Sequence, residues 1–115
     1  MSIIEWDENG YPTEESLEQL EKALKIGKTA EEWKRAVDVF YEALNENIYS
    51  DYCGPERVEV RGETKDVWGY HTGGWSGNED IINVLKRSWL WGSLIERYDS
   101  GGHYYFKPKE EFFKE

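Results

Sequence analysis

The sequence predicts an α+β fold, a four-stranded antiparallel sheet with helices packed mainly on one side, in the order α-α-β-β-α-β-β. Three observations predict it. Apolar residues recur at helical spacing through the first 47 residues, the period switches to alternation after "CGPERV", and one further helical stripe separates two strand-turn-strand segments. At 115 residues the chain suits a single domain over 1–115, with an acidic helical part over 1–50 and a ββαββ part over 51–115.

The first helix is carried by "YPTEESLEQLEKALKIGKT". Thr13 stands at the N-cap, acids fill the first turn where the helix dipole favours them, and Leu17, Leu20 and Leu24 share a face. Gly27 is placed to end it. Thr29 and Glu32 form a capping box for a second helix over about 29–47, whose face reads Trp33, Val37, Phe40, Leu44. Gly54 and Pro55 then break the helical pattern. Alternation in "RVEVRGETKDVWGYHT" predicts strands over about 57–61 and 65–72, joined as a hairpin around Gly62. In "EDIINVLKRSW", Ile81, Ile82, Leu85 and Trp89 predict a third helix. Two more strands, about 90–98 and 102–107, flank the turn Asp99-Ser100-Gly101-Gly102, and the tail "KEEFFKE" reads as a short helix or a frayed end.

Net charge is −10, and its placement narrows the function. Residues 1–21 hold seven acids and no base, residues 22–50 balance at five of each, and residues 51–115 hold twelve acids and nine bases. Such a chain repels nucleic-acid phosphates, whose binding takes clustered Lys and Arg, and a protein with a basic surface is the partner this charge suits. The acidic face would comprise Glu8, Glu14, Glu15, Glu18 and Glu21. One cysteine, Cys53, permits no internal disulfide, and the N-terminus lacks the pattern of a secretion signal, so a reducing cytoplasm is the expected setting. No apolar run approaches the roughly 20 residues that would span a bilayer. No cofactor or metal is expected.

The densest passage is "HTGGWSGNED". Ser76 and Glu79 have capping-box spacing, the glycines suit a strand-to-helix reversal, and Trp75 would close the core. A ligand reading competes with this turn reading. Amides around Gly77 and Asn78 at a helix N-terminus would take an anion, Trp75 or Tyr104 would stack a base, and His103 would add a hydrogen bond. The stretch is neither a Walker loop nor a dinucleotide fingerprint, and Gly-Trp-Ser-Gly-Asn is not an esterase elbow. His71 and His103, the only histidines, each adjoin a Gly-Gly pair; if the strand ends meet, the imidazoles form a pair suited to general acid–base work or to sharing a metal, though their spacing is unlike any compact zinc pattern. The candidate ligand set is therefore His71, Trp75, Gly77, Asn78, His103 and Tyr104, with no catalytic residue assigned. Aromatics crowd the second half, and alternation sends Tyr104 and Tyr105 to opposite sheet faces, leaving aromatic surface for a partner or a homodimer.

"HTGGWSGNEDII", a Trp-rich segment and "GGHYYF", with "GYPTEESLEQLEK" near the start, resemble a family of small acidic proteins encoded widely in bacteriophage and prophage genomes. The resemblance covers the N-terminal helix motif and nearly all of residues 70–106, and it brings no assigned active site. It implies a phage context and a non-enzymatic accessory role: binding a host protein, such as a nucleic-acid-binding defence factor of the CRISPR effector type, and inhibiting it.

Overall fold

The computed structural model describes residues 3–25, 29–46 and 53–109. "EWDENGYPT" closes into a small loop before the first helix. Asp7 N–H donates to Tyr11 O (2.7 Å), Thr13 N–H to Glu5 O (2.7 Å), and Asp7 Oδ1 accepts from Asn9 N–H (2.8 Å). Helix α1 (Glu14–Ala23) begins where Thr13 Oγ1 accepts the Ser16 N–H at 3.2 Å, with Glu14 and Glu15 in its first turn. The expected terminator Gly27 lies outside the described residues. In α2 (Ala30–Leu44), Thr29 Oγ1 accepts the Glu32 N–H (3.1 Å) and its hydroxyl donates to Glu32 Oε1 (3.0 Å). Val37, Phe40 and Leu44 are fully buried, while Trp33 is half-buried.

Strands β1 (Gly54–Val60) and β2 (Glu63–His71) form the expected hairpin. Its tip, Arg61-Gly62, has φ of 52° and 86°, the doubly positive turn whose twist matches that of the strands. Strands β3 (Ile95–Asp99) and β4 (His103–Phe106) form the second hairpin, and the sheet order is β1-β2-β4-β3, antiparallel throughout. The α+β architecture and element order are those the sequence predicts, with one added helix.

That addition corrects the reading of 90–98 as one strand. Residues Leu90–Leu94 form a short helix, α4, because Ser88 Oγ accepts the Leu90 N–H (3.0 Å) and Leu90 and Leu94, four apart, are both buried. The strand starts only at Ile95. The start of α3 (Ser76–Arg87) differs as well: Trp75 is the N-cap and makes no side-chain cap bond, so Ser76 and Glu79 form no capping box. Trp89 drops out of the α3 stripe; it is 62% exposed and meets Trp33 edge-on at 5.3 Å. The tail beyond 109 lies outside the described residues.

Among the described residues, helices cover one face of the sheet only. Tyr70, Tyr104 and Phe106 point into the cluster of Leu20, Phe40, Ile81, Ile82, Leu85 and Leu94, with Phe40 edge-on to Phe106 at 5.4 Å. The other face carries the alternate residues: Glu56, Val67, Gly69, His71, His103, Tyr105 and Arg97. A flat sheet would hold its outer strands about 14 Å apart. Yet Arg97 Nη1 on one edge strand donates to Glu59 O on the other at 2.8 Å, and Lys65 Nζ reaches Glu96 Oε2 at 3.4 Å. The β1–β2 hairpin therefore arches over this face, and Val60 and Val67 are buried there outside the main cluster.

Candidate functional site

On the arched face the two histidines meet. His71 and His103 are direct cross-strand partners in the β2–β4 ladder, and their Nδ1 atoms lie 2.8 Å apart. His71 Nε2 lies 2.5 Å from Glu56 Oε2. A carboxylate only accepts, so His71 presents Nε2–H to Glu56; in the neutral ring its bare Nδ1 then accepts from His103 Nδ1–H. The result is a chain, Glu56–His71–His103, that can hold a proton between the rings or pass it along. It is half-buried, with side-chain exposures of 18% for His71 and 33% for Glu56.

The backbone makes room for this chain. Glu56 faces Val67 in the β1–β2 register and must cross over Gly69 to reach the ring. A Cβ on Gly69 would overlap Glu56 Oε2. Around the chain, Arg97 Nε donates to Asp99 Oδ1 (2.9 Å), which raises its pKa further, and its guanidinium lies 5.8 Å from the Tyr105 ring centre. Burial raises the Tyr105 phenol, with the Glu56 charge adding to it. Cys53 packs on the His71 backbone, whose N–H donates to Sγ at 3.3 Å. Glu56 and Gly69 are the residues that sequence reasoning missed. A glycine inside an alternating strand was the available signal, since it marks a close approach.

The other residues of the candidate ligand set lie elsewhere. Trp75 Nε1–H donates to Gly10 O (2.6 Å) and its ring meets Tyr11 at 5.1 Å, so it fastens the "HTGGW" loop to the N-terminal loop. Gly77 is buried where a Cβ would strike Gly10 O and Trp75. Asn78 is fully buried: its side chain donates to Thr72 O (2.9 Å) and its amide to Trp75 O (3.0 Å), leaving neither for an anion. Tyr104 is 2% exposed on the helix-packed face, where burial, with Glu79 adding, pushes its pKa up to about 12. The two segments do adjoin, Thr72 N–H donating to Gly102 O at 3.0 Å, but His71 and His103 converge on the sheet face opposite Tyr104, so the candidate set does not form one pocket.

The acidic residues also separate. Glu14, Glu15 and Glu18 are exposed on α1 and make no ion pair among the described residues, and Asp80 of α3 joins Glu14 and Glu18 across the α1–α3 groove. Glu21, further along, pairs with Arg87 at 3.1 Å near Lys25. Glu8 lies exposed in the N-terminal loop. Among the described residues no three of His, Cys, Asp and Glu are placed to hold a metal, and no helix is long and apolar enough to cross a membrane.

The fold and its two surfaces define a two-layer α+β protein in which, among the described residues, one sheet face is left to its own hairpin. Comparison of the chain with protein-family models, curated proteins and solved structures finds no match.

Proposed function

We propose that this is a non-enzymatic binding protein whose partner is a host protein with a basic surface, and that it competes there with nucleic acid. The observation that supports this is the exposed row Glu14, Glu15 and Glu18, unpaired among the described residues and continued by Asp80 across the groove. Unpaired carboxylates side by side repel one another, a cost that Lys and Arg of a partner would relieve. The basic end of the same groove, with Lys25 and Arg87, limits the acidic patch to the first half of α1. A defence factor that holds nucleic acid through clustered Lys and Arg is the partner class this patch suits, and the phage-type motifs point the same way.

Affinity capture from host cells with the wild-type chain and with Glu14→Lys/Glu15→Lys/Glu18→Lys tests the reading. The expected outcome is a partner that the wild type retains at low salt, loses as salt rises, and that the reversed variant does not retain. Equal retention of the same proteins by both chains refutes it.

A further inference from the structure

We propose that the facing Nδ1 atoms of His71 and His103 form a two-histidine site for a transition-metal cation of zinc's class, with Glu56 as its outer carboxylate and water in the remaining positions. The site is on the arched sheet face and stands independently of the acidic-surface reading.

The ladder fixes both rings. Because His71 and His103 are in direct register on neighbouring strands, their nitrogens converge on one point without any loop having to order. At 2.8 Å they share a proton. An ion with bonds of about 2.0–2.1 Å at the tetrahedral angle sets two nitrogens about 3.3 Å apart, so the rings need part by only about 0.5 Å. Binding replaces two waters of the hydrated ion; the neutral His103 gives its Nδ1 proton to solvent and takes one from solvent at Nε2, a change of tautomer with no net proton released. His71 needs no such change, since Glu56 already holds its proton on Nε2.

That last contact is the second line of support. A metal-binding imidazole characteristically donates its far N–H to a carboxylate, which fixes the tautomer and raises the basicity of the ligating nitrogen. Glu56 Oε2 at 2.5 Å from His71 Nε2 occupies that position, and the contact exists because Gly69 leaves room for it. Nearby charge favours a cation. Asp99, cross-strand partner of His103, is neutralised by Arg97, and Lys65 by Glu96, so among the described residues the Glu56 carboxylate is the one at the rings with no Lys or Arg partner. Imidazole donors select zinc, nickel or copper over magnesium and calcium. With both rings half-buried, an ion has access from solvent.

The test is titration of the metal-free protein with Zn2+ by calorimetry, repeated with Co2+ followed by visible absorption. Melting in chelator checks that each variant is folded before it is used. The wild type is expected to bind one Zn2+ saturably and to melt higher with it, His103→Asn to lose both effects, and Glu56→Gln to bind roughly 10–100-fold more weakly. No saturable binding by the wild type overturns the site, as does binding that persists in a folded His71→Asn/His103→Asn chain, which would place the ion on surface carboxylates. Unchanged affinity in Glu56→Gln overturns the role of the carboxylate. Should His103→Asn fail to fold, loss of one-to-one binding on methylation or ethoxyformylation of the histidines in the wild type is the expected result, and retention contradicts it.

Discussion

Tyr104 and Tyr105 are adjacent in the chain and belong to different regions of the molecule. Tyr104 lies among Trp91 (5.7 Å), Tyr98 (4.8 Å) and the Lys86 ammonium (5.4 Å) on the face covered by helices. Tyr105 lies beneath Arg97 with its ring edge-on to His71 at 5.7 Å, on the face that, among the described residues, the arched hairpin alone covers. Both are buried, at 2% and 8% exposure, so burial alone does not separate the faces. Chemistry does. Helices supply apolar bulk and allow the covered face to be aromatic, whereas the hairpin closes its face with the Arg97–Glu59 carbonyl hydrogen bond and the Lys65–Glu96 ion pair and leaves half-buried titratable groups near water. A site needs the second environment, because fully desolvated charges are costly and fully solvated ones are weak.

The largest expected contrast is in packing. Phe106→Ala on the helix-covered face is expected to cost about 3–5 kcal/mol in urea denaturation, whereas Val67→Ala beneath the arch removes two methylene equivalents and is expected to cost about 1–2 kcal/mol. Equal costs would mean that the arched face is a second full core. Next in size is the turn between β3 and β4. Gly102 has a φ of 86°, and a Cβ there would overlap Thr72 Oγ1, so Gly102→Ala is expected to cost about 1–3 kcal/mol and to lower the melting temperature.

The architecture was legible in the sequence wherever local chemistry fixes it. Thr13 and Thr29 cap their helices through their own hydroxyls, and the positive φ at Gly62 closes the hairpin where alternation resumes. Leu90 and Leu94 give only one helical repeat, too short a period to distinguish from a strand when Trp89 and Trp91 flank it. The candidate site was half legible. "HTGG" and "GGH" flagged both histidines, but whether they meet depends on pairing β2 with β4 across α3 and α4, which no local pattern encodes. Glu56 arrives from a third strand, and the arch that closes the face rests on Arg97 and Glu59, 38 residues apart.

A smaller effect tests the cut-out under Glu56. Gly69→Ala is expected to push the carboxylate off His71 at a cost of about 1 kcal/mol, the scale of one hydrogen bond. Added to Glu56→Ala, it should cost markedly less than it does alone, since the two act on one contact. Full additivity in a double-mutant cycle would separate Gly69 from the chain.

The smallest expected effect is in alkaline pH. Burial raises the pKa of both Tyr70 and Tyr104, the latter to about 12, so the folded chain holds these phenolic protons more tightly than the unfolded one. Their contribution is complete below the unfolded value of about 10 and is lost progressively as pH rises from there through the raised folded values. Tyr70→Phe and Tyr104→Phe should each flatten that decline, read as melting temperature against pH.

The pairing of His71 with His103 is tested most directly by long-range 15N NMR of the two rings in metal-free, mildly alkaline buffer. The expected result is His71 protonated at Nε2 and His103 at Nδ1, the tautomer that free imidazole disfavours, with Glu56→Gln shifting the His71 signals. Two rings in the ordinary solvent tautomer mixture, indifferent to Glu56→Gln, would contradict it.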